Sequence, residues 1–158
     1  MSDFINTIDL LGDEATLDGI LTGDITEFND NVITTIHGSA FAETKVERVN
    51  FPNATSVGVA FHRATKLKIC DFGSRIGIAN YSFYIVSSLK ALILRSEEIC
   101  ELGGTNNFNK IVYFYVPKAL VSSYQSAKNW STFASQFRAL EDYTVDGTIT
   151  GELDESKI

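Results

Sequence analysis

The sequence predicts an α/β repeat protein: a solenoid whose short strands form one parallel sheet of about five rungs, with helical caps at both ends. Three observations predict it. Apolar residues fall into columns at a step of 20 to 22 residues. Within each unit they stand at x, x+3 and x+5, a strand-like pattern in which x+3 and x+5 share the inward face. Both flanks of the repeated stretch carry apolar residues at helical spacing.

The first column is Ile25, Val46, Leu67, Leu89 and Ile111. The second is Phe28, Val49, Cys70, Leu92 and Phe114, and the third is Phe51, Phe72, Leu94 and Val116, with Asp30 in its first place. Two further columns fall between them: Ile36, Val57, Ile78 and Ile99, then Phe41, Phe61 and Phe83. Stacking the units sets the strands side by side, and the intervening columns form the opposite wall. No unit buries its apolar face without its neighbours, which is why the units come in a run.

Residues 1–23 read as an N-terminal helical cap, with Phe4, Ile5, Ile8 and Leu11 on one face as far as Gly12 and a second short helix ending at Leu21. Residues 24–116 hold the repeats. Residues 117–140 read as a C-terminal helical cap: Pro117 suits a first helical position, and Leu120, Val121, Tyr124 and Ala127 share a face. A second short helix takes Ser131 as N-cap and carries Trp130, Phe133, Ala134 and Phe137. Tyr124 and Trp130 seal the last repeat. Residues 141–158, poor in core-forming side chains, read as an extended acidic tail.

Composition bounds the class. The chain has 158 residues, 44% hydrophobic and 21% charged, enough for one continuous core. No stretch approaches the roughly 20 apolar residues of a membrane helix, and no basic residue precedes an apolar run at the start, so a soluble protein without a signal peptide is expected. Cys70 and Cys100 stand without CxxC or histidine companions and read as small core residues. The net charge of −7 is segmented into −9 over 1–44, +7 over 45–138 and −5 over 139–158. The overall acidity and the lack of a basic run or stacking motif speak against nucleic acid. The basic middle reads as a solvated surface balanced by acidic ends.

The stretches ITTIHGSAFAETKVERVNFPN, TSVGVAFHRATKLKICDF and IGIANYSFYIVSSLKALILRS, with the closing IVYFYVPKALVSSYQSAKNWSTFASQFRAL, resemble the BspA-type leucine-rich repeat proteins over about residues 24–140. The resemblance implies a leucine-rich-repeat solenoid. It also implies a non-catalytic role in adhesion or recognition of proteins, matrix or surface glycans. Similar short proteins occur among phage and prophage tail genes. The few repeats, the missing signal and the acidic N-terminal segment depart from the long secreted adhesins, so the expectation is a phage-tail or other virion component engaged in host recognition. A purely structural virion part and a bacterial surface adhesin are the alternatives.

No catalytic constellation stands out. His37 and His62 occupy different places in the unit, and Glu97, Glu98 and Glu101 read as solvated charge. Gly103, Gly104 and Thr105 lack the lysine of a phosphate loop, and Asp146 lacks the further acids of a calcium loop. No cofactor, no metal and no enzyme activity are expected.

Two surfaces carry the binding expectation. On the outward side of the strands, x+2 runs Glu27, Arg48, Ile69, Ala91, Tyr113 and x+4 runs Asn29, Asn50, Asp71, Ile93, Tyr115. That ladder is polar first and apolar last, and an apolar patch of this size calls for a cover. Either the segment after Pro117 or the tail folds over it, or Ile69, Ile93, Tyr113 and Tyr115 meet a second copy or a virion neighbour. The second surface is the turns, where His62, Arg63, Tyr81 and Tyr84 flank Phe61 and Phe83 in an arrangement suited to sugar or peptide. The expected partner is a protein or a cell-surface glycan.

Overall fold

A computed structural model describes residues 22–109 and 111–158. The chain is an α/β fold with two parallel sheets. Strands β1 (Glu27–Asn29), β3 (Arg48–Phe51), β5 (Ile69–Phe72), β7 (Ala91–Leu94), β9 (Tyr113–Val116) and β10 (Phe137–Ala139) make a six-stranded sheet in that order. Strands β2 (Thr35–Ile36), β4 (Ser56–Val57), β6 (Gly77–Ile78) and β8 (Glu101–Leu102) make a four-stranded one. One short helix, α1 (Val121–Gln125), and a few 3-10 turns complete the described residues.

The register follows the columns. Phe28, Val49, Cys70, Leu92 and Phe114 are lateral partners across the large sheet, as are Phe51, Phe72 and Leu94. Each side chain is inward because strand residues alternate faces, so one column fills the space between the sheets. The turn phenylalanines form the third side: Phe41, Phe61 and Phe83 stack with centroids 5.2 Å apart and planes within 9° and 3° of parallel. Such pairs add about 0.5–1.5 kcal/mol beyond the area they bury.

Two columns slip at their last member. Ile111 is 56% exposed, and Val112 beside it is fully buried in its stead. The amides of Leu67, Leu89 and Val112 bond alike to the carbonyl three residues back, on Ala64, Val86 and Asn109, so Val112 is the equivalent residue. In the small sheet Ile78 pairs with Leu102, not with Ile99, because the connection 95–100 is two residues longer than its equivalent 73–76.

The C-terminal cap departs from two helices. A 3-10 turn (Lys118–Leu120) capped by Pro117 leads into α1, but Trp130–Gln136 is a kinked 3-10 segment whose N-cap is Asn129, not Ser131. Phe137 leaves that segment and opens β10, opposite Phe114, as the sixth member of the inward column. Tyr124 and Trp130 are buried and close the small sheet by hydrogen bonds as well as packing. The Cys100 amide donates to Tyr124 Oη (2.8 Å), Trp130 Nε1 donates to the Cys100 carbonyl (2.8 Å), and Asn129 Nδ2 donates to the Leu102 carbonyl (2.6 Å). These bonds give the backbone groups at the end of β8 the partners a fifth strand would supply. Asn107 does the same for the turns. Phe41 and Phe61 donate their amides to carbonyls of the next unit, Ala60 and Ser82, whereas Phe83 donates to the buried Asn107 Oδ1 (3.1 Å).

Residues 141–158 are not an extended tail. Thr144 pairs antiparallel with Leu153, the Val145 amide donates to the Glu152 carbonyl, and Leu140 and Leu153 are buried. The segment packs because its scattered apolar residues have a face to cover. The expected N-terminal helical cap lies outside the described residues except for its last two positions. No helix among the described residues is long and apolar enough to cross a membrane.

Candidate binding surfaces

The outward ladder of the large sheet is closed by the chain itself. Ile69, Ala91, Ile93 and Tyr115 are buried and form a second core with Leu140 and Leu153, against which Tyr143, Ile149 and Ile158 pack. Tyr115 and Tyr143 meet edge to face at 4.8 Å. A polar clamp fixes the cover. Arg95 donates from Nε and Nη2 to the two Asp71 oxygens (2.8 and 3.0 Å), while Nη1 donates to the carbonyls of Ile149 and Gly151 (both 2.8 Å). Arg48 pairs with Glu155, and the Lys118 amide donates to Glu141. Three of the four ladder residues expected to bind a partner, Ile69, Ile93 and Tyr115, are therefore unavailable to one in this structure. The fourth, Tyr113, stays partly open with the Arg138 guanidinium 4.4 Å above its ring.

Burial sets the chemistry of the titratable groups in both cores. It pushes the Tyr115 phenol up to about 12, with Tyr143 adding to the rise. It also raises the Cys70 thiol, next to Asp71, well above the usual thiol range, and the Cys100 thiol moves the same way. A thiol held protonated is a poor nucleophile and a poor metal ligand.

The turn wall is different. Positions two before, one after and two after the stacked phenylalanines form three surface columns: Ser39, Val59, Tyr81; Ala42, His62, Tyr84; Glu43, Arg63, Ile85. Backbone bonds from Ser39 to Val59, from Glu43 to His62 and from Arg63 to Tyr84 hold the turns in step. The structure thus brings His62, Arg63, Tyr81 and Tyr84 onto one wall, as the spacing predicts. The His62 ring lies 3.3 Å from Ser39 Oγ, and Tyr81 and Tyr84 meet edge to face at 5.6 Å.

This wall ends in an open apolar group. Tyr81, Tyr84 and Ile85 are 45%, 48% and 49% exposed, and Val59 is exposed beside them. Next to Tyr84 lies a depression of about 360 Å³ lined by Ile85, Phe108, Thr105, Asn106 and Asn109, an apolar floor with carboxamides and a hydroxyl around it. The backbone is strained here. Ser39, Glu43, Arg63, Tyr81 and Ile85 all have φ between 57° and 66°. The left-handed region costs an L-residue about 1–2 kcal/mol and is most unusual for a β-branched side chain such as Ile85.

Sequence reasoning passed over Val59 and Ile85. Their signal is positional, two residues to either side of the phenylalanine column. It also passed over the covering residues Tyr143, Ile149, Leu153 and Ile158, which follow no period. Comparison with family models, with curated proteins and with solved structures finds no match.

Proposed function

We propose that the chain is a non-catalytic recognition module, a leucine-rich-repeat solenoid of about five rungs in which β1, β3, β5, β7 and β9 are the rungs and β10 closes the stack. Its target is a protein or a cell-surface glycan, met through the turn wall. One observation carries the reading. Tyr81, Tyr84 and Ile85 are held about half exposed on a strained turn, while the chain's other apolar face is covered by its own C-terminal segment. An aromatic pair beside a depression rimmed by Asn106 and Asn109 offers ring faces for stacking and amides for hydrogen bonds, the combination that sugars and extended peptides require.

The placement in a phage or prophage tail, where host-surface binding is the need, rests on the resemblance to short BspA-type proteins. The rival view, a structural virion part docked by acidic termini, is weakened at one end: Glu141 and Glu155 are engaged with Lys118 and Arg48 of the same chain.

The test is a glycan array and a displayed peptide library probed with the full chain and with Tyr81→Ser/Tyr84→Ser. A ligand that binds the parent and loses tenfold or more in the variant, with the thermal midpoint unchanged, supports the reading. Ligands that bind both proteins alike sink it.

A further inference from the structure

We infer a second binding site, for a linear polyanionic polysaccharide, at the lysine-rich corner where the turns enter the large sheet. Lys45 and Lys66 stand one residue before the buried Val46 and Leu67, at equivalent places in adjacent units. Lys68 and Lys90 are likewise lateral neighbours, joined by the bond from the Lys90 amide to the Lys68 carbonyl (2.9 Å). All four side chains are exposed. Lys45, Lys66 and Lys68 line one depression of about 430 Å³ with Thr26, Thr65, Ser88 and the Glu47 carboxylate, which pairs with Lys68 and, among the described residues, leaves Lys45 and Lys66 as its unpaired cations.

The arrangement gathers positive charge at one corner. Rungs of a parallel sheet lie about 4.8 Å apart, so lysines at equivalent places stand one rung from each other along the backbone. Opposite signs meet across one rung, where Lys68 and Glu47 pair at 3.0 Å. Among the described residues, Lys45, Lys66 and Lys90 make no ion pair. The chain as a whole carries −7, so this concentration of positive charge runs against the average. A ligand with one anionic group per sugar or two would neutralise several rungs at once, and lysine ammoniums accept sulfate, phosphate or carboxylate without fixed geometry.

The neighbours of the lysines select the class. Thr26 and Thr65 offer hydroxyls to sugar oxygens, Ser88 Oγ, which donates to the Leu67 carbonyl (2.6 Å), can accept from a sugar hydroxyl, and the lining contains no aromatic ring on which a base could stack. A polysaccharide fits and a single-stranded nucleic acid does not. The site lies apart from Tyr81 and Tyr84 and does not depend on the turn wall, so either surface can fail alone.

The experiment measures binding of the full chain to dextran sulfate, poly(glycerol phosphate), neutral dextran and an oligothymidylate. Binding to one or both anionic polymers is expected, weakening steeply as salt rises from about 50 to 200 mM. The two anionic arms separate sulfate-bearing from phosphate-bearing polymers. Lys45→Gln/Lys66→Gln/Lys90→Gln should lose at least tenfold in affinity, and its salt slope should fall by roughly two. Lys118→Gln/Lys128→Gln/Lys157→Gln, which makes the same change in net charge elsewhere, should lose less than threefold. Tyr81→Ser/Tyr84→Ser should bind the polymer as the parent does. The site is overturned if neutral dextran binds equally, if neither anionic polymer binds, if the control triple loses as much, or if oligothymidylate binds as tightly as the better polymer.

Discussion

The ladder face and the turn wall are built on one plan and end differently. Along the chain the ladder changes from Glu27, Asn29, Arg48 and Asn50 to Ile69, Ile93 and Tyr115, and the turn wall changes from Ser39 and Glu43 to Tyr81, Tyr84 and Ile85. Both become apolar toward the C-terminal units. Only the ladder is covered. The difference lies in what the chain has left once its repeats are complete: Leu140, Tyr143, Ile149, Leu153 and Ile158 follow β10 on the ladder side and seal it. No segment among the described residues reaches across Tyr81, Tyr84 and Ile85. The lesson is that an apolar column reports burial only when a cover exists. An apolar column left open is the stronger pointer to a partner.

Lifting the cover should have the largest effect. Asp71 and Arg95 are almost buried, with side chains 7% and 15% exposed. The pair also holds the carbonyls of Ile149 and Gly151 through the same guanidinium. Removing one member leaves a buried charge unpaired, which costs about 3–5 kcal/mol. Asp71→Ala should lose stability by that amount in urea unfolding and should render residues 141–158 cleavable by a protease under native conditions. Dye binding to the exposed Ile69, Ile93 and Tyr115 should rise. A loss below about 1 kcal/mol with the segment still protected would mean that packing of Leu140 and Leu153 alone holds the cover.

A finer cut uses protons. Burial raises the Tyr115 phenol to about 12, above an unfolded value near 10, so the folded chain holds that proton more tightly. Between pH about 10 and about 12 the unfolded state binds fewer protons, and stability must therefore fall as pH rises through that window; below it the contribution is fully present. Tyr124, buried and raised as well, adds to the same fall. Tyr115→Phe should make the decline of the urea midpoint between pH 10 and 12 shallower. An unchanged slope would mean that Tyr115 is in contact with water and that the segment opens readily.

Much of the fold was legible because the columns are periodic and a parallel stack forces lateral partners to be one repeat apart. Phe28, Val49, Cys70, Leu92 and Phe114 needed only counting. Counting failed where two apolar residues adjoin or where a turn lengthens. Ile111 and Val112 are both β-branched, and only the turn at Asn109 decides which faces in. Ile99 lost its place to Leu102 because the connection 95–100 is two residues longer than the equivalent 73–76, a length that a fixed step cannot anticipate. Phe137 reads as helical in an apolar stretch, yet its backbone is extended and pairs with Phe114. The cover was the least legible part. Its apolar residues sit in an acidic stretch at irregular intervals, since the segment is a bridged loop with neither a helical nor a strand period. Of the candidate site, the turn residues were legible from their offset to Phe61 and Phe83, whereas the ladder residues were legible as one apolar face that the chain's own tail or a partner could cover, and the sequence alone does not choose between the two.

The two surfaces also differ in the sign of a substitution's effect. In the ladder, replacing a buried side chain destabilises, because contacts are lost and a cavity is left. At the turn wall the effect of replacing Ile85 should reverse. Its φ of 57° forces a β-branched side chain into the left-handed region, and its half-exposed surface returns little burial for that strain. Asparagine tolerates this backbone and avoids the larger chain entropy of glycine. Ile85→Asn should therefore gain about 0.5–1 kcal/mol in urea unfolding while weakening any ligand found for the wall, the trade expected where a surface is kept for contact. A destabilised Ile85→Asn would show that Ile85 packs for stability, and the wall would then lose the strain that sets it apart from an ordinary turn.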